Sequence, residues 1–258
     1  MRITLIGAGN LATRVGIALH DSGFRIVQVY SRTAEAAQTL ADRLGAESCC
    51  QPDSLDTTSD LCLFAVKDSA LPDLLPQLKR GNGVWAHTAG SVPMDIFAPY
   101  STRFGVLYPL QTLSKNRATD FSQVPVYLEA SDVTTLSLLN DVAGKITNRV
   151  IEASSDQRKQ LHLAAVFACN FTNRMYAIAA SLLESKGLDF AQLLPLIDET
   201  TAKIHELHPR ESQTGPAIRY DENVINRHIG LLEDEELKKI YTLMSQNIHR
   251  AQNENSNL

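Results

Sequence analysis

The opening of the chain constrains it most. Arg2–Ile6 is a short apolar run that reads as a buried strand, and Gly7-Ala8-Gly9-Asn10-Leu11-Ala12 follows it at once. Beyond the glycines, Leu11, Val15, Ala18 and Leu19 recur at helical spacing, and Gly23 stands where a helix would end. Strand, G-x-G-x-x-A turn and helix together form a dinucleotide-binding fingerprint. The glycines allow a tight turn and close approach to a pyrophosphate, and the third small residue lets the helix pack against the strand. Backbone N–H groups and the positive end of the helix would then face the phosphates. The same turn also serves as a plain strand-to-helix connection that binds nothing.

The alternation continues downstream. Strand patterns occupy 26–30, 61–66, 84–87, 105–108, 124–128 and 149–152, with helical patterns over 34–44 and 134–143. Such alternation predicts a parallel sheet with helices on its faces. From Ser154 the β-rich runs cease, and helical stretches cover 155–185, 190–207, 222–232 and 235–251. The fold class is therefore α/β: an N-terminal Rossmann-like parallel sheet over 1–153, followed by an all-helical domain over 154–258. The polar tail from Gln252 to Leu258 reads as a frayed end.

Charge excludes some partners. Lys+Arg 24 against Asp+Glu 29 gives a net charge of −5, so nothing draws the whole molecule to nucleic acid or an anionic membrane. No run reaches the roughly 18 apolar residues of a membrane span, and the first strand is too short for a signal-peptide core. The expected location is cytoplasmic. Cys49, Cys50, Cys62 and Cys169 have neither redox-motif nor zinc-knuckle spacing and read as buried thiols.

At the end of the second strand, where an NAD-binding carboxylate normally holds the adenosine ribose, the chain has Ser31-Arg32-Thr33. A guanidinium and hydroxyls suit a 2′-phosphate, which points to NADP; an exposed loop arginine is the plain alternative. Val66 and Lys67 end the third buried strand, where loops of an open sheet line the ligand crevice. Lys67 either touches cofactor or substrate there or is a solvated loop lysine.

Three later phrases are distinctive: His87-Thr88-Ala89-Gly90-Ser91, Gly105-Val106-Leu107-Tyr108-Pro109-Leu110-Gln111-Thr112, and Thr214-Gly215-Pro216-Ala217-Ile218-Arg219. With the glycine turn they make the chain resemble the Rossmann-like proteins that carry a C-terminal domain of unknown function and are often described as NADP oxidoreductases. The resemblance extends to reductases with an all-helical second domain: pyrroline-5-carboxylate reductase, ketopantoate reductase, β-hydroxyacid dehydrogenases and deazaflavin-dependent NADP reductases. It implies NADP, hydride-transfer ancestry, a small-molecule substrate between the domains and a homodimer built through the helical part.

The helix from Ser155 carries an unusual polar pattern. Taking His162 as zero at about 100° per residue, Asn173 lies near ~20°, Lys159 near ~60° and Asn170 near ~80°. Among Ala164, Phe167, Ala168 and Phe171, these residues suggest a buried polar stripe that needs partners. The resemblance to β-hydroxyacid dehydrogenases implies a lysine four residues before Asn170, but Val166 stands there. The acid role is then either absent or taken by another group: His162 is the first choice of proton donor, since an imidazole gives up a proton near neutral pH, with Lys159, Asn170 and Ser91 as the other candidates. His162, Asn170 and Asn173 equally suit a packing role between helices or across a dimer interface.

Ser91, His87 and Thr88 follow a strand and offer hydroxyls and an imidazole to a substrate, with loop capping as the plainer role. Tyr108 and Gln111 also end a strand, and Gln111 is placed to orient substrate. Thr214 and Arg219 lie on a Gly-Pro loop. The planar fork of Arg219 suits a carboxylate or phosphate, or else a surface pair with Asp221. His205, Glu206 and His208 lack a second ligand cluster, so no metal is expected, and no G-x-S-x-G elbow supports a hydrolase. The reading is an NADPH-dependent oxidoreductase acting on a small C=O or C=N compound. The alternative is an NADP-binding regulatory or interaction protein without turnover.

Overall fold

All the strands read from the sequence join one eight-stranded sheet in the computed structural model, which describes residues 1–255. They are β1 (Arg2–Ile6), β2 (Arg25–Tyr30), β3 (Glu47–Cys49), β4 (Leu61–Phe64), β5 (Val84–His87), β6 (Phe104–Pro109), β7 (Val126–Ala130) and β8 (Val150–Glu152), in the order β3-β2-β1-β4-β5-β6-β7-β8. The parallel arrangement holds through β6. β7 pairs antiparallel with β6 and parallel with β8, so the last two strands run the other way. A parallel pairing needs a crossover, and the segment between β6 and β7 carries only a 3₁₀ turn at Phe121–Gln123. β3 escaped the sequence reading because it is three residues long and mostly exposed.

Strand alternation sorts the core onto two faces. Ile3, Leu5, Leu61, Leu63, Val84 and Ala86 pack in one cluster with residues of α1 (Asn10–Asp21), α2 (Ala34–Leu44) and α4 (Val133–Ile146). Ile6, Cys62, Phe64 and Trp85 face the other way, against Phe97 and the short α3 (Leu71–Leu74). Gly45 ends α2 in the left-handed region at φ 62°, as a helix-terminating glycine should. The expectation of four buried thiols is corrected: Cys49 and Cys62 are buried, but Cys50 and Cys169 are exposed. Cys50 lies just past the end of β3, and Cys169 lies in a helical segment whose neighbours are exposed too.

A capping box between Ser154 and Gln157 starts α5 (Ser155–Ala165). The helix passes through a π segment at Val166–Phe171 into α6 (Thr172–Glu184). The texture change read at residue 153 marks the start of α5, whereas the first compact unit extends to Met175. The second unit begins at Tyr176 and contains α7 (Leu194–Glu206), α8 (Glu222–Leu231) and α9 (Glu235–Asn255). Within it Asp221 caps α8, and His249 joins the Ile218 carbonyl at 3.0 Å while stacking on Tyr220. Of the tail read as frayed, α9 runs through Asn255, and 256–258 lie outside the described residues. Among the described residues no helix is long and apolar enough to cross a membrane.

Candidate functional site

β1 has β2 on one side and β4 on the other, which makes the C-terminal ends of β1 and β4 the switch point where open α/β sheets bind ligands. A cleft of about 560 Å³ lies there. The start of α1 and the loops after β4, β5 and β6 line it together with α5 and the π segment.

At the cleft's β1 end the glycine turn takes two distinct roles. Gly7 has φ 125°, and a Cβ built on it would stand 2.3 Å from the Ala65 carbonyl oxygen. Gly9 is the N-cap of α1, carries no capping side chain, and a Cβ there would meet nothing within 4 Å. The first turn of α1 holds no acidic residue, so its backbone N–H donors border open space without a local anion. Ala12 is fully buried and Ala8 nearly so, while Asn10 and Leu11 line the cleft. Such a cradle fits a pyrophosphate. Ser31 is half-buried, and Arg32 and Thr33 are exposed at the end of β2; Arg32 forms no ion pair among the described residues.

Of the other expected site residues, the cleft gathers Val66, Thr88, Tyr108, Gln111, His162 and Asn170. Tyr108 Oη and His162 Nδ1 are 2.9 Å apart and hydrogen bonded, with the donor set by the imidazole tautomer. Burial pushes the Tyr108 phenol up to about 12, which keeps it protonated. The imidazole fits only because residue 90 is glycine: a Cβ there would lie 2.6 Å from His162 Cγ. Ser91 is outside the lining but donates to the Asp68 carboxylate, which is part of it. Lys67 is exposed and lines no part of the cleft.

The stripe grouped at a constant helical phase does not survive. Asn170 is in the cleft, but Asn173 is not, and Lys159 pairs with Asp156 at 3.3 Å beside a different cavity along β8. A π segment has more residues per turn, so the α-helical phase slips across Val166–Phe171. Nor is the stripe buried: His162 is half-buried, and Asn170 and Asn173 are exposed. Thr214 and Arg219 lie in the second unit, both exposed, and no Arg219–Asp221 ion pair forms among the described residues.

His87 departs most from its expected place. It is fully buried, shares a sheet face with Trp85, packs on Phe97 and accepts the Ala89 N–H through Nδ1 at 3.2 Å. It supports the loop and lines no part of the cleft. Burial, then the Arg158 guanidinium, hold its pKa down at about 4 against an ordinary 6.5. The unfolded chain therefore binds the extra proton, and stability present above pH ~6.5 should be lost towards pH ~4, by about 3 kcal/mol in all. His87→Asn retains an acceptor for Ala89. Denaturation midpoints of this variant should fall less steeply over that range; parallel slopes would refute the assignment.

Sequence reasoning missed Arg158, Asp68 and Gly90. Arg158 is 1% exposed and joins three elements: Nε donates to the Ala89 carbonyl at 3.1 Å, Nη1 to Glu129 on β7 at 2.5 Å, and Nη2 to the Val92 carbonyl at 2.5 Å. It clamps the loop after β5 to α5, one turn before His162. That i, i+4 spacing was the available signal.

A glycine-rich turn opening an uncapped helix at the switch point of a mostly parallel sheet defines a Rossmann-like nucleotide-binding protein. The sequence matches the Rossmann-like domain over residues 1–112 and the Domain of unknown function (DUF2520) over 124–248. A solved Bacteroides fragilis protein, named "putative NADP oxidoreductase BF3122", is 47% identical, with 96% of this chain and 98% of that one covered and a TM-score of 0.92. The chain belongs to this family of Rossmann-like proteins with a DUF2520 domain. More distantly, its fold is similar to a reductive aminase of Aspergillus terreus in complex with NADPH and ethyl-5-oxohexanoate (13% identity, 98% and 94% covered, TM-score 0.72). It is also similar to 1-pyrroline-5-carboxylate reductase of Streptococcus pyogenes (14% identity, 98% of both chains covered, TM-score 0.60). No curated protein matches the chain.

Proposed function

We propose that this protein is an NADP(H)-dependent oxidoreductase that reduces a small C=O or C=N compound in the cleft at the sheet's C-terminal edge. The observation that carries it is the open, uncapped start of α1 at Gly9, adjoining a cleft that contains a hydrogen-bonded Tyr108–His162 pair. The named NADP oxidoreductase among its relatives supports the cofactor.

The N–H groups at the start of α1 hold the pyrophosphate, and Arg32, with Ser31 and Thr33, holds the 2′-phosphate. The bound cofactor supplies hydride. His162 and Tyr108 then form a short relay: the phenol, which stays protonated, and the imidazole share one hydrogen bond through which a proton reaches the reduced oxygen or nitrogen. Thr88, Gln111 and Asn170 orient the substrate. Large apolar side chains exposed along the helices, including Phe167, Phe171, Leu196 and Leu243, support a homodimer through the helical part.

Arg32→Ala should raise the Kd for NADPH about ten- to a hundred-fold, the contribution of one charge-assisted hydrogen bond, and leave NADH nearly unchanged. Calorimetry decides it, and equal losses for both cofactors would reject the 2′-phosphate role. The sample should sediment at twice the chain mass. Stoichiometric NADPH binding without oxidation by any of a broad set of imines and ketones would favour a regulatory protein.

A further inference from the structure

The cleft's charge, on the oxidoreductase reading above, narrows the substrate class. We propose that it selects protonated imines over carboxylate-bearing substrates, with Asp68, held by Ser91, as the counter-charge. Among the described residues that line the cleft, Asp68 is the one carboxylate, and none is Lys or Arg. Of the two buried arginines among the described residues, Arg158 is committed to Glu129 and to backbone carbonyls and is only 1% exposed, and Arg14 on α1 is not among the lining residues. Ser91 donates to Asp68 Oδ2, while Oδ1 makes no hydrogen bond among the described residues, so the carboxylate is oriented and keeps an acceptor. The amide and hydroxyl groups of the lining, on Asn10, Thr88, Tyr108, Gln111, Thr112 and Asn170, discriminate against neither class of substrate.

A carboxylate entering this wall meets a like charge and no partner, whereas an iminium meets an opposite one. Once cofactor and substrate displace water, that difference grows. An iminium also suits the chemistry. Hydride adds to its carbon, the C=N π pair becomes the nitrogen lone pair, and the positive charge is cancelled. The products are a neutral amine and oxidised cofactor; the proton that the Tyr108–His162 relay would deliver is then already on the nitrogen when hydride adds.

The experiment uses the full-length protein saturated with NADPH and three probes of one shape: cyclopentylamine, cyclopentanol and cyclopentanecarboxylate, titrated by calorimetry at neutral pH. The amine should bind about tenfold more tightly than the carboxylate, a range set by one charged hydrogen bond discounted for the exposure of Asp68. Asp68→Asn should bring the two within about threefold, and Asp68→Glu should keep the preference. A carboxylate bound as tightly as the amine, an amine that does not bind, or a preference that survives in Asp68→Asn overturns the proposal. The NADPH titration that precedes the probes separates the failures. Absent cofactor binding defeats the functional reading and this proposal together, whereas cofactor binding without charge preference defeats this proposal alone.

Discussion

Gly7→Ala is expected to destabilise the protein by about 3–5 kcal/mol, while Gly9→Ala, two residues on in the same turn, should cost about 1 kcal/mol or less. The difference lies in what each new methyl meets. At Gly7 it is driven to 2.3 Å from the Ala65 carbonyl oxygen, part of the backbone leaving β4, and φ 125° is closed to L side chains in any case. Neither β1 nor β4 can yield, because their pairing runs from Ile3 with Leu61 to Ile6 with Phe64 in the middle of the sheet. At Gly9 φ is −79° and no atom lies within 4 Å, so the fold accepts the methyl. The open space is where the proposed pyrophosphate would rest, and Gly9→Ala should therefore weaken NADPH at least tenfold while melting almost normally. Denaturant midpoints and a cofactor titration on both variants test this. If Gly9→Ala bound NADPH with unchanged affinity, the phosphates could not sit against the start of α1.

Those two glycines also mark how far the sequence was legible. A local signal gave the turn: apolar strand, small residues at fixed offsets and apolar periodicity all agree, and β1, α1, α2 and β5 emerge with nearly the boundaries read from the chain. The direction of β7 was not legible, because direction depends on how a loop crosses the sheet and not on the strand's own residues. His87 was misplaced although parity was available: two residues from Trp85 on a strand, it had to share Trp85's buried face. The grouping of His162 with Asn173 failed because it assumed one helical pitch, and Val, Phe, Ala, Cys, Asn and Phe give no local sign of a π segment; Lys159 lies before that segment, on α5 with His162, and pairs with Asp156 instead. The Tyr108–His162 contact spans 54 positions and is a product of tertiary packing alone.

Arg158→Met should cost about 3–5 kcal/mol, because methionine keeps much of the side chain's length but removes every donor and strands Glu129. Four acceptors lose the guanidinium at once: the Ala89 and Val92 carbonyls, Ser155 Oγ, and the Glu129 carboxylate, which still receives Ser155 N–H at 2.8 Å and Ser155 Oγ at 2.7 Å. Much of that cost is an unpaired acid, so the double variant Arg158→Met/Glu129→Leu should be more stable than Arg158→Met alone, with the difference measured by a double-mutant cycle. The ion pair is not the whole effect. Gly90 stands between the two carbonyls that Arg158 holds and rests against His162, so a loosened loop also loosens the imidazole's seat. The double variant should regain stability but not the seat, and NMR shifts of the His162 ring should remain displaced in it. Native ring shifts in a restabilised double variant would show that the guanidinium serves packing alone, whereas displaced shifts would make it the residue that positions the proposed proton donor.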